Sequence, residues 1–476
     1  MAPTLSFGQT TTLQVTYFPQ NSGSTEAVLQ IANNDSDENP FDLVLQGFAI
    51  EVPENIVVSL SSDDNNNFGE EPYSLEEAVW LANAAADLNT ITFASSLNGT
   101  PIEIANNDSI YIQSPVNIVG NGAGTTILNG RFNRMLYVED NGGDAVDVQI
   151  SGVTLQGGED GAIWNQGQNL TITNSSISNN SGFRGAGISN NGNLTITGST
   201  ISGNTANNSG GAVYNNYGTV TITNSTVSGN ANDGNRGGGV YNRGGSVTIL
   251  NSTISNNHGQ DGGGGIYNRN GTARLDNTIV AGNTSNSGPS DIQNGDGGNV
   301  DAGSSNNLIG DASSSGGLTH DTNGNKVGVD GSGTLDVALI LDPLANNGGF
   351  TQTHALVNDS PAIDSGDSNA AAELDTDQRG ANRVEGAAVD IGAFEFGATL
   401  PPGEIVVEYP GGTELVDGES TLTAPLTAVN QSSQLTITIR NTGLAPLDVK
   451  EVLLVNANGQ FLVNTDDLAG PVSVSG

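Results

Sequence analysis

Gly161-Ala-Ile-Trp-Asn165, Ala186-Gly-Ile-Ser-Asn190, Gly211-Ala-Val-Tyr-Asn215, Gly238-Gly-Val-Tyr-Asn242 and Gly264-Gly-Ile-Tyr-Asn268 are five versions of one phrase. Each leads into a short alternating run, such as Leu170-Thr-Ile172, Leu194-Thr-Ile196, Val220-Thr-Ile222 or Val247-Thr-Ile249, and then into an Asn-Ser-Thr-Ile-Ser-Gly-Asn-like closer. Ile172, Ile196, Ile222, Ile249 and Leu275 follow one another at 24, 26, 27 and 26 residues, and Ile177, Ile201, Val227, Ile254 and Val280 repeat the same four intervals. A fixed period of this length means stacked supersecondary units. Alternation is the strand period, and no segment between Gly161 and Asn283 is long enough for a helix. Three short strands per ~26 residues, with Gly and Asn at the corners, describe one coil of a parallel β-helix whose coils lie about 4.8 Å apart.

Stacked coils put equivalent residues in columns. Asn165, Asn190, Asn215, Asn242 and Asn268 form one, and Asn180, Asn204, Asn230, Asn257 and Asn283 another. Asn tolerates the left-handed conformation of a sharp corner, and stacked amides can bond along the column. Ile, Val and Leu fill the interior, each contributing roughly 1.5–3 kcal/mol when fully buried. The Gly-Gly-Ile-Tyr-Asn opener and the Asn-Ser-Thr-Ile-Ser-Gly-Asn closer resemble the right-handed β-helix repeats of bacterial surface and secreted proteins. That resemblance implies an all-β, right-handed, single-stranded parallel β-helix of the pectin-lyase-like type.

The flanks read differently. Residues 1–50 suggest strands at Thr11–Tyr17, Ala27–Ala32 and Phe41–Gly47, and Val15-Thr-Tyr-Phe-Pro19 with Leu29-Gln-Ile-Ala-Asn-Asn-Asp35 resembles the closing half of a choice-of-anchor D, immunoglobulin-like module. Residues 403–476, with Glu404-Ile-Val-Val407 and Gln434-Leu-Thr-Ile-Thr-Ile-Arg-Asn-Thr-Gly443, resemble its opening half. Halves in this order suggest a slice through a longer tandem array, with neighbouring modules as partners. Residues 51–90 form a linker and a capping helix: Ser74-Leu-Glu-Glu77 is a capping box, and Leu75, Val79 and Ala82 share one face, suited to cover an open solenoid end. The segment resembles the CSLREAI stretch that precedes such solenoids, with Tyr73 for Cys and Glu76 for Arg. The solenoid then spans 91–306. In 307–398, Asp342-Pro-Leu-Ala-Asn-Asn-Gly-Gly-Phe-Thr-Gln-Thr-His-Ala-Leu356, Ser360-Pro-Ala-Ile-Asp364 and Asp390-Ile-Gly-Ala-Phe-Glu395 resemble the choice-of-anchor Q closing region. Asp364, Asp377, Arg379, Arg383, Asp390 and Glu395 are expected to tie down the last coils.

Composition narrows the function. Twelve basic against 51 acidic residues give a net charge of −39. Nucleic acid is not expected as a partner, because binding a polyanion needs clustered Lys and Arg. No run is apolar enough for membrane insertion, and the absence of Cys excludes a disulfide framework. The start, Met1-Ala-Pro-Thr-Leu-Ser-Phe, lacks the regions of a signal peptide. An extracellular or cell-surface location is therefore what the family resemblance implies.

Four features offer chemistry. Asp233 and Arg236 share one long turn, His258 and Asp261 the next, and stacking would bring them near Arg184; a polysaccharide lyase could use Arg as base and Asp to hold calcium. The same residues also fit a solvated turn with incidental ion pairs. Trp164, Tyr214, Tyr241 and Tyr267 each follow an inward residue, so they point outward, either to stack on a glycan or to pack under a turn. Thr171/Thr173, Thr195/Thr197 and Thr221/Thr223, with Thr248, resemble the lattice of ice-binding solenoids, although Thr is also a common strand surface residue. Asp35, Asp37 and Asn39, and Asp321, Asn323 and Asn325, alternate oxygen ligands as a calcium loop does, but Pro40 and Lys326 replace the Gly that an EF-hand needs. No other cofactor is expected. The leading expectation is a non-catalytic structural or adhesive shaft; a carbohydrate-active protein acting on polysaccharide is the alternative.

Overall fold

The computed structural model describes residues 12–33, 40–62, 72–85, 88–104, 109–131, 134–139, 142, 145–371, 374–409, 413–415, 417, 437–441, 443–444, 451–453 and 473–475. Its body is a parallel β-solenoid, and one coil shows the plan. Asn169–Thr173 lies in a first sheet, Ser176–Ser178 in a second, Ser181–Arg184 in a third and Ile188–Asn190 in a fourth, before Asn193–Thr197 returns to the first. The sheets hold 10, 10, 6 and 8 strands respectively. The coils from Asn169 to Arg269 therefore have four strands each where the repeat suggests three, whereas the coils before Asn169 have three. The extra sheet is built from the long turns, whose strands are as short as Ala231–Asn232 and His258–Gly259.

The inner columns follow the sequence register. Ile172, Ile196, Ile222, Ile249 and Leu275 pair in turn, and all are buried. Ile177, Ile201, Val227, Ile254 and Val280 do the same on the second sheet. Both Asn columns become amide ladders. Asn180 Nδ2 donates to Asn204 Oδ1 at 2.8 Å, and Asn204, Asn230 and Asn257 each donate to the next rung at 2.9 Å. The same oxygens also accept the backbone N–H of the preceding rung at 3.0 Å. The second ladder, Asn165 to Asn268, has amide spacings of 2.8–2.9 Å. The left-handed corners fall on different residues, Asn174, Asn224, Asn251, Asn277 and Asn306, with φ between 45° and 51°. Corner bending and ladder bonding are thus divided between neighbouring asparagines.

At the N-terminal end the solenoid starts one strand before the expected boundary. Asn55–Val58 already pairs in parallel with Asn89–Phe93. The helix between them, α1 (Leu75–Ala84), has a complete capping box: Ser74 Oγ accepts from Glu77 N at 3.2 Å, and the Glu77 carboxylate accepts from Ser74 N at 2.8 Å. Leu75, Ala78, Val79, Leu81 and Ala82 bury into the main core and close its end. Outside the solenoid, Gly23–Ile31 and Phe41–Ala49 form an antiparallel hairpin, while the described residues from 12 to 18 hold no strand. Ile405–Tyr409 pairs with Thr413–Glu414 and with Thr438–Asn441.

The closing region departs most from expectation. Beyond Lys326–Val327 the chain leaves the stack and runs back as a strap along the outside of the second sheet. Asp367 N donates to Asn277 Oδ1 at 2.7 Å, and Ala393 N to Thr253 Oγ1 at 3.1 Å. Farther back, the Thr226 hydroxyl donates to Gln378 Oε1 at 2.6 Å, and Gln378 Nε2 donates to Thr200 Oγ1 at 3.0 Å. Thr351 Oγ1 donates to the carbonyl of Gly198 at 3.0 Å. A second apolar cluster, including Ile279, Ile340, Leu356, Ile391 and Phe394, lies beneath the strap. It covers four coils rather than the last ones alone.

Candidate binding flank

The fourth sheet carries its outward rings in one register: Tyr111, Tyr137, Trp164, then Ser189, then Tyr214, Tyr241 and Tyr267. Adjacent ring centroids are 5.0 and 5.2 Å apart before the Ser189 gap, and 5.4 and 5.1 Å apart after it. Tyr111 and Tyr137 escape a reading based on the regular repeat, because their coils are irregular. Their signal is the alternation in Ile110-Tyr-Ile112 and Leu136-Tyr-Val138. Tyr214, Tyr241 and Tyr267 are only 5%, 5% and 2% exposed. Tyr111 and Tyr137 lie nearly parallel at 20°, while the other neighbours are tilted by 39–50°; packing buries Tyr214, Tyr241 and Tyr267 rather than leaving them open to a sugar. Of the four rings read from sequence, Trp164 alone is half-buried.

Arginines border this column. The Arg134 guanidinium lies 5.9 Å from the Tyr137 ring and 5.6 Å from Trp164, Arg184 lies 5.6 Å from Tyr214, and Arg236 lies 5.1 Å from Tyr267. Burial holds Arg134 below the usual arginine range, partly offset by the Asp160 carboxylate 3.8 Å away. Arg236 Nη1 donates to the Tyr267 hydroxyl at 2.9 Å, and its Nε to the backbone carbonyl of Asp261 at 3.4 Å. Arg243 Nη1 donates to the Tyr214 hydroxyl at 3.4 Å and to Asn216 Oδ1 at 3.2 Å.

The turn cluster read from sequence is therefore only partly assembled. Arg184 and Arg236 share a column, each paired with Ser209 between them. His258 belongs to another column, above Ala231, and its Nδ1 lies 3.0 Å from Thr284 Oγ1. Asp233 and Asp261 are exposed, and Arg236 reaches the main chain of Asp261 instead of its carboxylate.

The remaining candidates are dispersed. Thr171, Thr195, Thr221 and Thr248 form an outward row on the first sheet that ends at Arg274, and the row Thr173, Thr197, Thr223 ends at Leu250. Asp321 lies 3.4 Å from His320 Nε2, and Asn323 donates to the carbonyl of Ala302. Asn325 is buried, its oxygen taken by the backbone and side-chain N–H of Asn307. These three side chains thus serve separate contacts. Asp35, Asp37 and Asn39 lie outside the described residues. Among the described residues, no group of three His, Asp or Glu side chains is gathered for a metal ion.

Most of the buried ionisable groups lie in and beside the strap. Arg379 pairs with Asp377 at 2.7 Å and stacks 3.6 Å from the Phe394 ring centroid. Burial pushes Glu395 up to about 7 and raises Asp390, although both accept backbone N–H groups. Burial lowers His354, whose Nε2 lies 2.8 Å from Ser228 Oγ. Asp364, Asp377, Asp390 and Glu395 each cap main-chain N–H groups, an arrangement that holds turns in place.

The family model described as "Right handed beta helix region" matches residues 134–312. The solenoid is a right-handed parallel β-helix. The crystal structure of pectate lyase Pel9A resembles this chain at 15% identity, over 73% of this chain and 97% of that one, with a TM-score of 0.36. No curated protein matches. No helix among the described residues is long and apolar enough to cross a membrane. For function, the β-helix therefore contributes two long lateral surfaces: a flank closed by the strap, and a flank on which arginines border a packed column of rings.

Proposed function

We propose that this chain is a non-catalytic extracellular or cell-surface protein, with the β-helix as a rigid spacer or binding shaft. The observation that carries the reading is the unbroken register of the first sheet from Asn169 to Asp276, reinforced by two buried amide ladders. Ladders of this kind resist bending and spread any local distortion over several coils. The extracellular assignment rests on the resemblance of the repeat to those of bacterial surface proteins. The hairpin at 23–49 and the strands from 405 onward would join neighbouring modules of the same kind.

The competing reading is a polysaccharide lyase centred on Arg236 and Asp261. Incubation of the purified chain with pectate and alginate, with and without calcium, separates the two. The shaft reading expects no unsaturated chain ends. Their release, and its loss in an Arg236→Ala, Asp261→Ala double variant, would overturn it.

A further inference from the structure

The chain has ten arginines and two lysines against 51 acidic residues, yet five of the arginines, Arg134, Arg184, Arg236, Arg243 and Arg269, gather beside the ring column. Two of them have acidic neighbours: Asp160 lies 3.8 Å from Arg134, and Asp296 lies 2.6 Å from Arg269. Arg184, Arg236 and Arg243 differ. Among the described residues none of the three has a carboxylate oxygen within 4.0 Å. In a chain with so many carboxylates to spare, three adjacent cations without a countercharge need an explanation.

Their geometry supplies one. Each side chain is positioned by neutral partners: Arg184 by Asn208 Oδ1 at 3.1 Å, Arg236 by the Tyr267 hydroxyl, and Arg243 by the Tyr214 hydroxyl and Asn216. A guanidinium has five N–H donors, and these contacts use one or two of them. Arg184 is exposed, and Arg236 and Arg243 are partly so. Ring packing also fixes the charges at low entropic cost, since planar guanidiniums stack well on aromatic surfaces. Arg184 and Arg236 sit two coils apart in one column, about 10 Å along the axis. Arg243 reaches the same Tyr214 ring that Arg184 covers.

We propose that this flank binds an anionic polysaccharide lying along the β-helix axis, with its carboxylate or sulfate groups on Arg184, Arg236 and Arg243. The proposal rests on the binding-shaft reading and specifies its ligand class. Charges repeated along an open surface suit a linear polymer, and bidentate guanidinium contacts suit carboxylate and sulfate. The strongly negative remainder of the chain does not abolish such a site, because charges beyond about 8 Å are largely screened at physiological ionic strength. Asp233 and Asp261, exposed in the neighbouring turns, oppose binding, so calcium should strengthen it.

The test is affinity electrophoresis of the full chain in gels containing polygalacturonate, dextran sulfate or neutral dextran. Retardation is expected in one or both anionic gels and not in dextran; whether uronate or sulfate is preferred shows which group is recognised. An Arg184→Gln, Arg236→Gln, Arg243→Gln variant should bind at least about tenfold more weakly, as expected for losing one or more charge-assisted contacts. Arg131→Gln and Arg274→Gln, whose arginines pair with Glu103 and Asp276 elsewhere, should bind as the parent does. Should the triple variant fail to fold, Arg184→Gln alone, which loses one exposed contact, must still weaken binding. No retardation, or equal retardation of parent and variant, overturns the proposal. Retardation accompanied by chain cleavage supports the site and overturns the non-catalytic reading instead.

Discussion

Asp291 ends the main amide ladder. Its Oδ1 takes the two N–H groups of Asn283, backbone and side chain, at 3.1 and 2.9 Å, while its Oδ2 accepts from Asp311 N at 2.8 Å. A carboxylate suits that place because it accepts on both sides, whereas an amide would turn a donor toward Asp311. Burial raises its pKa to about 7. The folded chain thus holds a proton there more tightly than the unfolded chain does. The associated stability is complete below the ordinary carboxylate value and is lost as pH rises through about 7. Glu395 acts in the same sense. His354 acts in the opposite sense: its stabilising share is present above its ordinary value of 6.5 and is lost as pH falls through its lowered folded value. The thermal midpoint should therefore rise as pH is lowered from about 8.5 to about 6.5. In Asp291→Asn this rise should shrink, and stability near pH 8.5, where the Asp291 carboxylate accepts on both sides, should fall by about 1–3 kcal/mol as the Asp311 N–H loses its acceptor. Melting curves of both proteins across that range check the sign.

Among the elements, the coil interior was the easiest to read and the strap the hardest. Columns such as Ile172 to Leu275 are legible because burial imposes one residue type at one interval. The third sheet is not, since strands of two residues, such as His258–Gly259, have no room for alternation. Thr200 and Thr226 look in sequence like the solvent-facing Thr195 and Thr221. What separates them is contact with Gln352 and Gln378, about 150 residues away and without any period. The sequence brings Arg236 and its turn neighbours near Arg184 by stacking, but the tyrosines beside these arginines lie in other parts of the repeat. The strap makes a direct prediction. Gln378 bonds Thr200, Thr226 and Thr351 together, so Gln378→Ala should cost about 1–3 kcal/mol by leaving buried partners unmatched. Hydrogen exchange should then quicken in the amides near 351–354 and 376–381, with those of Asn169–Thr173 unchanged. Equal quickening throughout would mean that the strap and coils open as one unit.

On the scale of the whole molecule, a solenoid is held together by contacts between neighbours, and without other restraints its coils could detach singly from an end. The strap changes this, because it is bonded to four successive coils between Gly198 and Asn277. It acts as a batten along a stack of planks. Load applied at the two ends of the chain must shear many of those bonds together before any coil beneath can uncoil. Single-molecule stretching should show one large rupture for the battened coils and separate small steps of unequal length for the irregular coils between Val116 and Asn165. Ten consecutive small steps with no large one would mean that the strap bears no load. For a shaft at a surface, such a batten would turn a brittle stack into a member that fails late and all at once.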